Sequence, residues 1–94
     1  NIGLGSGAVD SITTGDYNVG LGDNALTACT TGGYNQALGH EALKSNTTAS
    51  ENSAFGYQSL KSNTTGTRNV AYGGESLRDN TTGNDNTAIG KNAL

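Results

Sequence analysis

The sequence predicts an all-β fold, a parallel β-solenoid or β-roll with one coil per seventeen residues. Three observations predict it: a perfect short repeat, invariant columns within that repeat, and a shortage of core-filling residues. Blocks of seventeen bring Asn1, Asn18, Asn35, Asn52, Asn69 and Asn86 into one column with no insertion or deletion. The repeats are 1–17, 18–34, 35–51, 52–68 and 69–85, and a half-repeat 86–94 follows; together they are read as a single repeat domain, 1–94. A strict period means each block occupies an equivalent slot, with the preceding and following blocks as its spatial neighbours. Seventeen residues is too short for a helix pair, which leaves one turn of a β-coil.

Each element of the coil follows from its column. Positions 1–4 of the repeat are expected to form a strand. Position 5 is always Gly (Gly5, Gly22, Gly39, Gly56, Gly73, Gly90), as a corner with positive φ or close backbone approach requires. Positions 6–9 are expected to form a second short strand, with a single helical turn as the alternative. Position 4 is always large and apolar (Leu4, Leu21, Leu38, Phe55, Tyr72, Ile89), and so is position 9 (Val9, Leu26, Leu43, Leu60, Leu77, Leu94). Both columns are expected to point inward as the core. The stretch Asn-Thr-Thr-Gly, clearest at Asn63–Gly66, is expected to turn the chain back, because Asn and Gly favour turn conformations. The Asn column at position 1 is expected to form an amide ladder, each side chain bonding the one above.

Two large apolar side chains per seventeen residues form a thin core. The chain has no Trp, Met or Pro and a single Phe, and its apolar fraction is 32%. Small solenoids commonly compensate with disulfides, metals or association. Cys29 has no partner and is expected to be a small buried thiol; one Cys and one His give no metal-site spacing. Association is therefore expected. If positions 4 and 9 face inward, the small residues at positions 3 and 8 form a smooth outer stripe for a neighbouring chain; tight packing at a coil corner is the alternative.

The motifs NTAIGKNAL (Asn86–Leu94) and NSAFGYQSL (Asn52–Leu60), each in an array punctuated by Asn-Thr-Thr, resemble repeats of bacteriophage tail fibres and related surface fibres. The Ala-large-Gly-x-x-Ala core is also similar to head repeats of trimeric autotransporter adhesins. The resemblance implies an elongated homotrimer on a virion surface or otherwise extracellular, supporting attachment to a host glycan or protein receptor. Variable positions 6 and 7 are the expected receptor contacts, with His40, Tyr57 and Gln58 foremost. The first two repeats depart from the pattern with Gly3 and Gly20, Ile12 and Cys29, and Tyr17 and Tyr34, read as a more apolar outer layer. The chain opens on Asn1 and is read as an internal piece of something longer.

Other classes find little support. Net charge is −3 with 14% charged residues, so no basic stripe invites nucleic acid, and no apolar run suits membrane insertion. The glycines of Ile2–Asp10 are repeat positions rather than a phosphate loop, and no Lys-Ser/Thr follows them. His40 beside Glu41 makes no triad, so no enzyme is expected, and no cofactor or catalytic residue is assigned. Asn46, Asn63 and Asn80 open glycosylation sequons but are read as turn residues. The Thr-Thr pairs suggest an alternative function, a monomeric solenoid binding ice or another regular surface. Adjacent Thr residues give only one outward rank.

Overall fold

The computed structural model describes all 94 residues. Six three-residue strands follow one another: β1 (Ile2–Leu4), β2 (Val19–Leu21), β3 (Gln36–Leu38), β4 (Ser53–Phe55), β5 (Val70–Tyr72) and β6 (Thr87–Ile89). They form one parallel sheet in chain order, and every partner lies seventeen residues on: Ile2 faces Val19, Ala37 faces Ala54, Tyr72 faces Ile89. The molecule measures 30 × 23 × 16 Å. Six strands at one strand spacing per coil would span about 24 Å.

Strands end at position 5 because the next coil's backbone passes there. A Cβ on Gly56 would lie 2.7 Å from the carbonyl of Gly73, and Gly56 has φ 132°. Beyond this corner the expected second strand is absent. Overlapping turns run instead from position 5 to 12, closed in the third coil by Ala42 N–H to Gly39 C=O (3.1 Å), Lys44 to Glu41 (3.3 Å) and Asn46 to Leu43 (3.2 Å). Residues at positions 7 and 9 have positive φ, for example Glu41 at 60° and Leu43 at 51°. That conformation excludes a β-strand. The turns stack as the strands do, and only 10 of the 59 backbone hydrogen bonds run directly from one strand to another. Bonds between stacked turns, such as Glu41 N–H to Asp23 C=O (2.9 Å) and Leu43 N–H to Ser59 C=O (3.1 Å), join those of the sheet in holding the solenoid together.

The interior differs from expectation at position 4. Leu4, Tyr72 and Ile89 are 67%, 57% and 74% exposed, and Leu21, Leu38 and Phe55 are only half-buried. Position 3 points inward instead: Ala37, Ala54 and Ala71 are fully buried, as are Ala25, Ala42, Ser59 and Ser76 at position 8. The small residues are thus core rather than an outer stripe. The physical reason is width, since a coil this flat has room for one large side chain per level. Position 9 supplies it, with Leu26, Leu43 and Leu60 fully enclosed and Leu77 nearly so. Val9 is half-buried, and the final residue, Leu94, is exposed.

The N-terminal departures belong largely to this interior. A Cβ on Gly3 would sit 2.3 Å from Val9 Cγ2, and one on Gly20 would sit 3.0 Å from Val9 Cγ1. Glycine in these two coils thus makes room for the branched side chain. Ile12 packs against the core, and Cys29 is buried in it. Only Tyr17 and Tyr34 are outer residues, where their rings stack at 5.0 Å.

Two buried asparagine columns complete the interior. Each position-1 Oδ1 accepts from the backbone N–H of the next Asn in the column: Asn35 to Asn18 Oδ1, Asn52 to Asn35 and Asn69 to Asn52, all at 3.0 Å. Each Nδ2 donates across the coil to position 15, as in Asn52 to the Gly66 carbonyl at 2.8 Å. The ladder is thus side chain to backbone, with one amide-to-amide rung, Asn35 Nδ2 to Asn18 Oδ1 at 3.1 Å. A second ladder runs at position 12. Asn63 Nδ2 donates to Asn46 Oδ1, and Asn80 Nδ2 to Asn63 Oδ1, both at 3.0 Å. Every buried side-chain nitrogen and oxygen has a partner.

Candidate functional site

The outer face of the sheet is the most unusual surface of the molecule. Alternation along a three-residue strand puts positions 2 and 4 on the same side. Position 4 therefore builds an unbroken apolar column, Leu4, Leu21, Leu38, Phe55, Tyr72, Ile89, with the Phe55 and Tyr72 rings 5.0 Å apart. Position 2 is mixed: Ile2, Val19, Gln36, Ser53, Val70, Thr87. Parallel sheets are ordinarily covered on both faces. Here the solenoid covers one.

Past the Gly corner lies the variable column at position 6. The exposed His40 and Tyr57 rings stack at 5.6 Å, only 11° from parallel. Gln58 is committed elsewhere, its Nε2 donating to Glu41 Oε1 at 2.7 Å. Of the three expected receptor contacts, the structure brings His40 and Tyr57 together and ties Gln58 into the scaffold.

Glu41 is the hub of that scaffold. Its carboxylate receives Lys44 Nζ at 2.6 Å from its own coil and Lys61 Nζ at 3.2 Å from the next, while His40 Nδ1 lies 3.7 Å away. The position-10 column of Lys44, Lys61 and Arg78 is thereby relieved, and Glu75 holds Arg78 at 2.6 Å. The hydrogen bond from Lys44, then that from Gln58, hold the Glu41 carboxyl down at about 2 against an ordinary 4.5. A carboxylate depressed in the folded state stabilises fully above its unfolded pKa and loses that contribution as pH falls through the folded one. The Tm is thus expected to fall between pH 4.5 and about 2, and Glu41→Gln is expected to flatten that part of the curve. Parallel wild-type and variant curves in thermal melts would count against the hub.

Remaining candidates are placed as follows. In the position-17 column, Arg68 binds Asp85 through both carboxylate oxygens, at 2.6 and 3.3 Å, which leaves Glu51 outside the pair. Cys29 is enclosed, with its thiol 3.5 Å from the Gly32 carbonyl, and burial pushes its pKa up. Asn46 and Asn63 are buried with their Nδ2 atoms bonded to the Ala49 and Gly66 carbonyls, so neither sequon presents its amide. Thr14, Thr31, Thr48, Thr65 and Thr82 form one exposed rank. Four threonines of the adjacent rank, Thr13, Thr30, Thr47 and Thr64, turn their hydroxyls to the next coil's carbonyls at 3.2–3.5 Å.

Sequence reasoning misses the outward apolar column and the buried position-12 asparagines. The signal for the second was present: Asn46, Asn63 and Asn80 each stand three residues before the position-15 carbonyl they bind. No helix is long and apolar enough to cross a membrane. No family model, curated protein or solved structure matches the chain.

Proposed function

We propose that the chain is a structural and adhesive module, a shaft segment of an elongated homotrimeric fibre of the tail-fibre or surface-adhesin kind. The observation that carries this reading is the apolar position-4 column on the outer face of the sheet, exposed at Leu4, Tyr72 and Ile89 and partly exposed between them. Three copies with these columns turned toward a common axis would cover the open faces at once, in a closed cyclic arrangement. Each interior is already complete at positions 3, 8 and 9, so association supplies the missing outer layer rather than the core.

Adhesion in this reading is multivalent. Three copies present the same variable positions three times, and weak contacts add through effective concentration. The stacked His40–Tyr57 pair is the foremost candidate for touching a host glycan or protein receptor at a virion or cell surface.

The apolar face of one segment is small. Strands of three residues, six of them, give a strip of about 24 by 10 Å, well under the roughly 800 Å² per partner of a standard interface. Association is therefore expected to depend on concentration and to tighten in longer repeat arrays. Light scattering over a dilution series is expected to approach three times the 9.5 kDa of one chain at high concentration. Leu38→Lys combined with Phe55→Lys should return the monomer mass while circular dichroism stays unchanged. A folded chain that remains monomeric up to millimolar concentration would sink the proposal.

A further inference from the structure

The position-17 column changes character halfway along the molecule, and a notch opens where it does. Tyr17 and Tyr34 stack with ring centroids 5.0 Å apart and planes 24° from parallel, but the next residue in the column is Glu51. One face of the Tyr34 ring is occupied by Tyr17, and the other looks along the stack toward the acid. Tyr34, Glu51 and Ser53 line an open notch of about 510 Å³, within the usual size of ligand sites.

Its polar groups are unspent. The Glu51 carboxylate accepts no hydrogen bond and makes no ion pair, and the Ser53 hydroxyl has no side-chain partner. Arg68, the next residue in the column, is hydrogen-bonded to Asp85 and acts on Glu51 only through its charge at longer range. No cation lines the notch. The neighbouring position-2 residues, Gln36 and Ser53, are polar where Val19 and Val70 flank them, so the notch lies outside the apolar stripe.

An aromatic face beside a carboxylate that makes no hydrogen bond or ion pair attracts positive charge twice, through the ring quadrupole and through the negative charge. We propose that this notch binds an organic ammonium group, either a trimethylammonium or a protonated primary amine, packed on the Tyr34 ring and paired with Glu51. Ser53 offers its hydroxyl oxygen to N–H or hydroxyl groups carried with the cation. All three lining residues belong to a single chain.

The test titrates the full chain with choline chloride and, separately, n-butylammonium chloride, following the tyrosine ring resonances by NMR with sodium chloride at equal ionic strength as control. Both probes are expected to shift the Tyr34 ring saturably in the millimolar range. Tyr34→Leu and Glu51→Gln are each expected to weaken binding roughly two- to fivefold, and Tyr34→Phe to preserve it. Tighter binding of choline points to a trimethylammonium source such as a lipid headgroup, and tighter binding of butylammonium to a lysine side chain. A response no different from sodium chloride overturns the proposal. So does binding left unchanged by Glu51→Gln, or preferential binding of a methyl glycoside. If Tyr34→Leu fails to fold, the Glu51→Gln and Tyr34→Phe variants decide the matter.

Discussion

Replacing Gly56 by Ala is expected to cost roughly 3 kcal/mol or more, enough to disrupt the stack locally if not globally. Two terms add. Gly56 has φ 132°, where an L side chain is strained, and its Cβ would meet Gly73 backbone carbon and oxygen at 2.7 Å. Backbone on the far side cannot rotate away as a side-chain tip can. The two coils would have to separate, which lengthens the bonds on either side of the corner, including Gly73 N–H to Phe55 C=O at 2.7 Å. Gly74 is the matched control. A Cβ there meets nothing within 4 Å and its φ is unexceptional, so Gly74→Ala is expected to stay within about 0.5 kcal/mol of the parent. Urea melts of the two variants measure the contrast; equal stabilities would refute the close-approach account of position 5.

Asn52→Ala is the second large effect, expected at about 2–5 kcal/mol. Asn52 is fully buried between coils and serves both of them. Its Oδ1 accepts from Asn69 N–H, and its Nδ2 donates to the Gly66 carbonyl. Alanine orphans the Asn69 N–H in a place water does not reach, leaves the Gly66 carbonyl with Asn63 Nδ2 as its remaining donor, and opens a void besides. Asn52→Asp is expected to be worse: the acceptor survives, but a carboxylate oxygen then faces the Gly66 carbonyl with no cation at hand. The exposed Asn84→Ala in the following repeat removes only surface bonds to Thr67 at 2.7 and 3.3 Å, and should cost well under half as much as Asn52→Ala. Denaturant midpoints for the three variants check the order. If Asn52→Ala matched Asn84→Ala, the ladder would be ornamental to stability.

These two positions also show which parts of the fold the sequence makes legible. The seventeen-residue register and the Gly corner are readable because they are absolute: nothing but Gly can stand where the next coil's backbone passes. The position-1 asparagines are readable for the same reason, though their preference for backbone partners over one another is not. Column 4 misleads because size and apolarity ordinarily mean burial, and a coil 16 Å across at its thinnest inverts that rule in favour of Ala and Ser. The turns at positions 6–9 are hidden because Leu43, Leu60 and Glu41 give no local hint of positive φ. They are held there by the stack, since that turn is what carries the position-9 side chain into the interior of each coil. Of the surface features, the His40–Tyr57 pair follows from the register alone. The notch at Tyr34 and Glu51 does not, because it depends on Arg68 turning to Asp85 rather than to Glu51.

Disulfide trapping tests the stacking directly. In a Cys29→Ser background, Ser53→Cys with Val70→Cys puts thiols on Cα partners in adjacent strands, about 4.8 Å apart and within bridging range. Ser53→Cys with Thr87→Cys puts them two coils apart, at about 9.6 Å and beyond reach. The first pair is expected to close within one chain under mild oxidation, read as loss of free thiol at monomer mass on a denaturing gel, and the second to stay open. Closure of the second pair in preference to the first would contradict coils stacked seventeen residues to the rung.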